Sequence, residues 1–197
     1  FSKTIDVGGA GFSNSAAPQN PNYSAGDRAI SALDRTHILS SDVVYQLPFG
    51  KGRRFGSSFN GLAEAVLGGW EVTGIMVRTS GSPLTVGVEG DIANIGARSI
   101  SQRPNLVGDQ YAGAHSVTGL WMNPAAYAFP APYTFGNLGR NTIIGPGFFQ
   151  LDFGGYKNFA ITERIGMQFR AEIFNVTNRV NFGNPNGDLN STSFGKI

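Results

Sequence analysis

Hydrophobic and polar positions alternate most regularly near the end of the chain. In "GFFQLDFGGYKNF", Phe149, Leu151 and Phe153 share one face, while Gln150 and Asp152 take the other. In "RIGMQFRAEIFNVTN", Ile165, Met167, Phe169, Ala171 and Ile173 alternate with Gly166, Gln168, Arg170 and Glu172. A period of two predicts strands. The intervening "ITE" makes a tight turn, so the two runs form an antiparallel hairpin with one apolar and one polar face. "THILSSDVVYQL" predicts a further strand, with Leu39, Ser41, Val43, Tyr45 and Leu47 opposed to Ser40, Asp42 and Gln46. "GWEVTGIMVRTSG" predicts another, with Trp70, Val72 and Met76 opposed to Glu71, Thr73 and Ile75. "SPLTVGVEG", after a Ser-Gly-Ser-Pro turn, is expected to be its hairpin partner. Phe1–Asp6 reads as the end of a strand, and "SSFNGLAEAVLGG" fits either a short helix or the lead-in to a strand.

Between these runs the period is lost twice, over about 7–34 and about 90–147, and loops of such length are usually functional or packed on a partner. The first is rich in Gly, Ser, Asn, Ala and Pro; the second carries Pro and aromatic residues. The expectation is therefore one domain over 1–197, all-β, an antiparallel up-and-down sheet of the barrel type with long aromatic and Gly-rich loops.

Composition narrows the medium. Of 197 residues, 28 are Gly, charged residues make up 14% and aromatics 12%, against usual shares of about 7% for Gly and about 25% for charge. So few charges and so many aromatics exclude disorder and coiled coil. Gly without a three-residue period excludes collagen. No apolar run is long enough for a transmembrane helix, but barrel strands are short and alternating and would not show as one. The polar faces carry charge, the strands are long for a sandwich, and short turns alternate with long loops; all three suit an outer-membrane barrel. A soluble β-sandwich and a fibrous or surface-layer β protein remain open on these grounds.

Catalytic chemistry finds no constellation. The only histidines, His37 and His115, lie in unrelated segments, Cys is absent, and no G-x-S-x-G elbow occurs. "FGKGRRFG" lacks the Lys-Ser/Thr ending of a phosphate loop, and "NPNGD" offers one carboxylate, Asp188, where calcium needs more. The expectation is no enzyme, no cofactor and no metal. The net charge of +2 comes without a basic stripe, so no nucleic-acid partner is expected. The sequons at Asn22, Asn175 and Asn190 carry little, the middle one falling in an expected strand. Candidate groups for a barrel lumen or a ligand are Asp42, Gln150, Asp152, Gln168, Arg170 and Glu172, although a water-facing hydrogen-bonded ladder would use the same residues. Loop aromatics Trp121, Tyr127, Phe129, Tyr133 and Phe135 could stack on a carbohydrate or peptide, or pack the loop upon itself.

Several segments resemble the TonB-dependent outer-membrane receptors of the acidobacterial type, which carry a carboxypeptidase-regulatory-like domain. They are "DRTHILSSDVVYQLPFGKGRRF", "LGGWEVTGIMVRTSGSPLTV", "RPNLVG", "WMNPAAYAFP", "TFGNLGRNTIIGPGFFQLDFGGYKNFAITER" and "MQFRAEIFNVTNRVNFGNPN". They occur in the family's order and cover most of the chain. The resemblance implies a fragment from the C-terminal part of a barrel of about 22 strands. The role implied for the parent is to bind a ligand and take it up across the bacterial outer membrane. Its implied partners are outer-membrane lipid, the remaining barrel and the TonB system. The plug, the TonB-contacting box and the closing aromatic strand have no counterpart here, the sequence ending in "FGKI". A sheet cut from a barrel has two open edges, so the alternative is a self-assembling structural protein, a homo-oligomer forming an extracellular tube or filament.

Overall fold

A computed structural model of the chain describes residues 1–7, 18–20, 22–96, 102–162 and 164–197. Much of the expected first loop, part of the second, and Glu163 of the "ITE" turn lie outside the described residues. The secondary structure is mostly β and antiparallel, as the alternation predicts. The chain divides into two compact units.

One unit comprises Ile38–Arg78 and Phe149–Val180. Its long strands are β3 (Ile38–Gln46), β4 (Trp70–Thr79), β9 (Phe148–Ala160) and β10 (Gly166–Ile173). They form one sheet in the order β10-β9-β4-β3, so each long strand lies beside its neighbour in the chain. The β9–β10 hairpin runs from Gly166 opposite Ala160 to Ile173 opposite Phe153. Leu47 N donates to Trp70 O, and Ser80 N donates to His37 O, which fixes one antiparallel register along β3 and β4. Thr73 meets β9 at Gly154, where a Cβ would lie 2.5 Å from its Oγ1; only glycine allows the two strands to approach here. The ambiguous "SSFNGLAEAVLGG" contains a helix, α1 (Gly61–Leu67), capped by Asn60 Oδ1, which accepts from Ala63 N at 2.8 Å. The strand around Ile173 stops there, so the Asn175 sequon lies beyond the sheet and not within it.

The other unit comprises Phe1–His37, Thr79–Phe148 and Asn181–Ile197. The two expected loops are thus folded where described. Three two-residue pairings tie them: β1 (Ile5–Asp6) with β2 (Ala29–Ile30), β5 (Pro83–Leu84) with β8 (Ile143–Ile144), and β6 (Asn105–Leu106) with β7 (Tyr127–Ala128). The expected hairpin of "SPLTVGVEG" with the strand before it does not form: Pro83 and Leu84 pair with Ile144 and Ile143 instead. The reason is that Val86 and Val88 are fully buried and draw the segment into a core. That core gathers Val86, Trp121, Met122, Ala126, Tyr127, Leu138, Ile143 and Phe194. Beside it Arg103 donates from Nη1 to Asp27 Oδ1 at 2.5 Å and from Nε to Leu138 O at 2.7 Å. Gln19 donates to Gly136 O and accepts from Arg103 N. Gly136 backs onto the Arg103 and Pro104 carbonyls, where a Cβ has no room.

Candidate functional site

The register sorts the sheet's side chains into two faces. Met167, Phe169, Ala171 and Ile173 lie across from Phe159, Lys157, Gly155 and Phe153. The Trp70 ring meets Phe169 edge-on at 5.9 Å, which adds β4 to that face. With Leu39, Val43 and Tyr45 of β3, this makes an apolar surface whose large side chains are mostly exposed. Exposing so many large apolar groups to water would be costly.

The opposite face collects the candidate lumen residues. Asp42, Gln150, Asp152, Gln168, Arg170 and Glu172 all fall on it, with Gln46, Glu71 and Thr73. On β10, Arg170 donates to Glu172 Oε1 from Nε at 2.9 Å and from Nη2 at 2.5 Å. Tyr156 OH donates to the same oxygen at 2.7 Å, and Arg170 lies over the Tyr156 ring. Gln168 donates to Asn158 Oδ1. Asp152 accepts from Gln150 Nε2 at 2.8 Å and from Asn175 N at 2.8 Å. At the far end of β3, Gln46 donates to Glu71 and accepts from Arg53 Nη2. Most of these polar side chains pair as donor and acceptor along the face. The face can present charge and amides to a polar solute.

Tyr156, Asn158, Glu71 and Arg53 were not among the sequence candidates. Continuing the alternation of β9 past Gly154 and Gly155 would have placed the first two. Lys157 was also missed, and its signal is a charge out of phase on the aromatic face. It is buried, with Nζ donating to Gly68 O and to Glu64 O at the C-terminal end of α1, over the rings of Trp70 and Phe159.

The loop aromatics divide. Trp121 and Tyr127 belong to the core. Trp121 Nε1 donates to Ile144 O, and Tyr127 OH donates to Gln110 Oε1. Burial, and then the nearby Tyr111, push the Tyr127 hydroxyl well above its ordinary pKa. Phe135 is half-buried, while Phe129 and Tyr133 are exposed, 52% and 77%. Tyr133 sits at φ 62°, a conformation that costs a non-glycine residue. In the 91–96 turn, Asp91 accepts from Ile95 N, Gly96 N and Gln102 Nε2. These bonds, led by Ile95, hold its carboxyl below the ordinary range. Phe1 packs against His37, while His115 lies between Tyr111 and Trp121. Among the described residues no three His, Cys, Asp or Glu side chains come together as a metal site, and no helix is long and apolar enough to cross a membrane.

Neither curated proteins nor solved structures gave a match to the chain. The family described as "Outer membrane beta barrel domain" matches it over residues 1–197. The sheet agrees with that family in its antiparallel order and its two unlike faces, though it is not closed among the described residues. The chain belongs to the outer membrane beta barrel domain family, with an outer membrane as its general location.

Proposed function

We propose that this chain is part of the barrel wall of a TonB-dependent receptor in a bacterial outer membrane, and that it serves ligand binding and uptake, not catalysis. The observation that carries this reading is the paired polar ladder of Arg170, Glu172, Tyr156, Gln150 and Asp152, set directly behind an exposed apolar face. A sheet with hydrocarbon on one side and charge on the other fits a wall between lipid and a wet lumen. The ordered resemblance to receptor segments supports the same assignment. A large or scarce solute rich in hydroxyls or carboxylates, such as an oligosaccharide or a metal chelate, suits this amide and ion-pair lining. The TonB system and the remaining barrel are the partners such a role requires.

The test is to isolate the native product from outer membranes with an antibody to Asn184–Lys196, then measure intact mass and image it in detergent. A single barrel of mass far above the 20.9 kDa of this chain, with solute uptake abolished by an uncoupler, supports the receptor. A closed barrel of 20.9 kDa chains alone overturns it. The outer edges of β3 and β10, unpaired among the described residues, favour a second reading, a self-assembling tube or filament. Long filaments without detergent would establish that reading instead.

A further inference from the structure

The connection between β3 and β4 is unusual in how it disposes its apolar and charged groups. At seven residues, α1 is far below the length of about 12–15 residues at which a helix is even marginal in water. It is held from outside. Asn60 caps its start, Lys157 Nζ takes its last carbonyls, and Trp70 Nε1 donates to Val66 O at 2.8 Å. A cation at a helix C-terminus also favours the helix dipole. Lys157 and Trp70 both belong to the apolar face, so these bonds place the end of α1 on the side of the sheet that the family turns to lipid.

Held there, α1 buries none of its residues and leaves Leu62 79% and Val66 60% exposed, with Leu67 beside them. Leu62 and Val66 are four apart and share one helical face. The charges are sorted as well. Glu64 is the only acidic residue between Leu47 and Gly69, and its carboxylate accepts from Lys51 N at 2.8 Å. Arg53 is turned to Gln46 on the polar face. Lys51 and Arg54 remain exposed, Arg54 over the Phe55 ring at 5.4 Å. Apolar side chains beside exposed cations and an aromatic pair, Phe49 with Phe55, match the layered chemistry of a lipid boundary.

We propose that α1 is an in-plane membrane anchor at one rim of the sheet, with Leu62, Val66 and Leu67 among the upper acyl carbons and Lys51 and Arg54 on the phosphates of anionic phospholipids. The inference rests on the barrel family and not on the uptake reading.

The chain has no cysteine, so Leu62→Cys gives a single attachment point for an environment-sensitive fluorophore on a side chain that packs against little. The labelled chain is reconstituted into phosphatidylcholine vesicles with and without phosphatidylglycerol. The expected result is a blue shift at position 62, quenching by bromines placed high on the acyl chains, and tighter association with phosphatidylglycerol vesicles. Lys51→Gln and Arg54→Gln should each reduce that preference about fivefold. Water-like, unquenched emission from vesicle-bound chain would overturn the anchor. Equal affinity for the two vesicles, or a preference unchanged in the double variant, would overturn the phosphate contact. Failure to float with either vesicle would count against both.

Discussion

Arg103 and Asp27 are the most fully desolvated ion pair among the described residues, with side-chain exposures of 6% and 2%. Such a pair is a weak source of net stability, but removing one partner strands the other's charge, at a cost of about 3–5 kcal/mol. Asp27→Ala is therefore expected to destabilise by about that much in urea unfolding followed by near-ultraviolet circular dichroism, and Asp27→Leu with Arg103→Met should recover most of the loss. Asp91 makes a pH-dependent contribution of known sign. Its folded pKa is depressed below 3.8, so its bonds to Ile95 and Gly96 are fully present above 3.8 and are lost as the pH falls through the lower folded value. The protection factors of Ile95 and Gly96, with exchange referred to the intrinsic rate at each pH, should fall over that acid window, and Asp91→Asn should remove that fall. Neither carboxylate could be found by reading along the chain. Arg103 lies 76 positions from Asp27, and both fall in segments without a period, where only the folded path brings them together. The lumen candidates were different: each sits in a two-residue alternation, and alternation is a local property.

At the scale of elements, legibility followed regularity. The long strands and their faces follow from period two, because one residue of slip would exchange the aromatic and charged faces of β9 and β10. Of the two-residue strands, Ile5–Asp6 falls in the expected Phe1–Asp6 strand and Pro83–Leu84 in the expected "SPLTVGVEG" strand, but their pairings could not be read along the chain. Pro83–Leu84 pairs with a segment some 60 positions away, and an adjacent turn signal pointed to the wrong partner. α1 was ambiguous because its seven residues make fewer than two turns, too few for a 3.6-residue period to show. The sheet itself yields a graded prediction. Ile173 pairs with Phe153 near the middle of β9, whereas Phe169 packs on Trp70 close to α1. With this face in a bilayer, Ile173→Arg should cost about 2–4 kcal/mol and Phe169→Arg less, since the penalty falls toward the interface. Urea titration of chain folded in phosphatidylcholine vesicles measures both. Equal costs, or none, would show that the face is not in hydrocarbon.

For the whole molecule, the open question of physics is the pair of outer edges that β3 and β10 leave unmatched among the described residues. Antiparallel strands point alternate N–H groups to opposite sides. Leu47 N donates toward β4, and His37 O accepts from Ser80 N, so the odd-numbered residues of β3 bond to β4. The N–H groups of Ser40, Asp42, Val44 and Gln46 therefore face the open edge. Proline is tolerated on an edge strand where the N–H it removes has no partner within the sheet. Val44→Pro should leave the four-stranded sheet folded and deprive the edge of a donor at its centre. Tyr45→Pro, one residue on, removes a ladder bond to β4 and should cost about 1–3 kcal/mol for the acceptor left unpaired. If edge pairing, with another strand of a barrel or with a second copy, is what completes this sheet, Val44→Pro will shift the chain in detergent toward monomer by sedimentation while its circular dichroism stays that of the parent. Tyr45→Pro will lose the β signal itself. Unchanged association in Val44→Pro would assign assembly to the apolar face instead of the edge, because a hydrogen-bonded edge cannot lose its central donor without weakening.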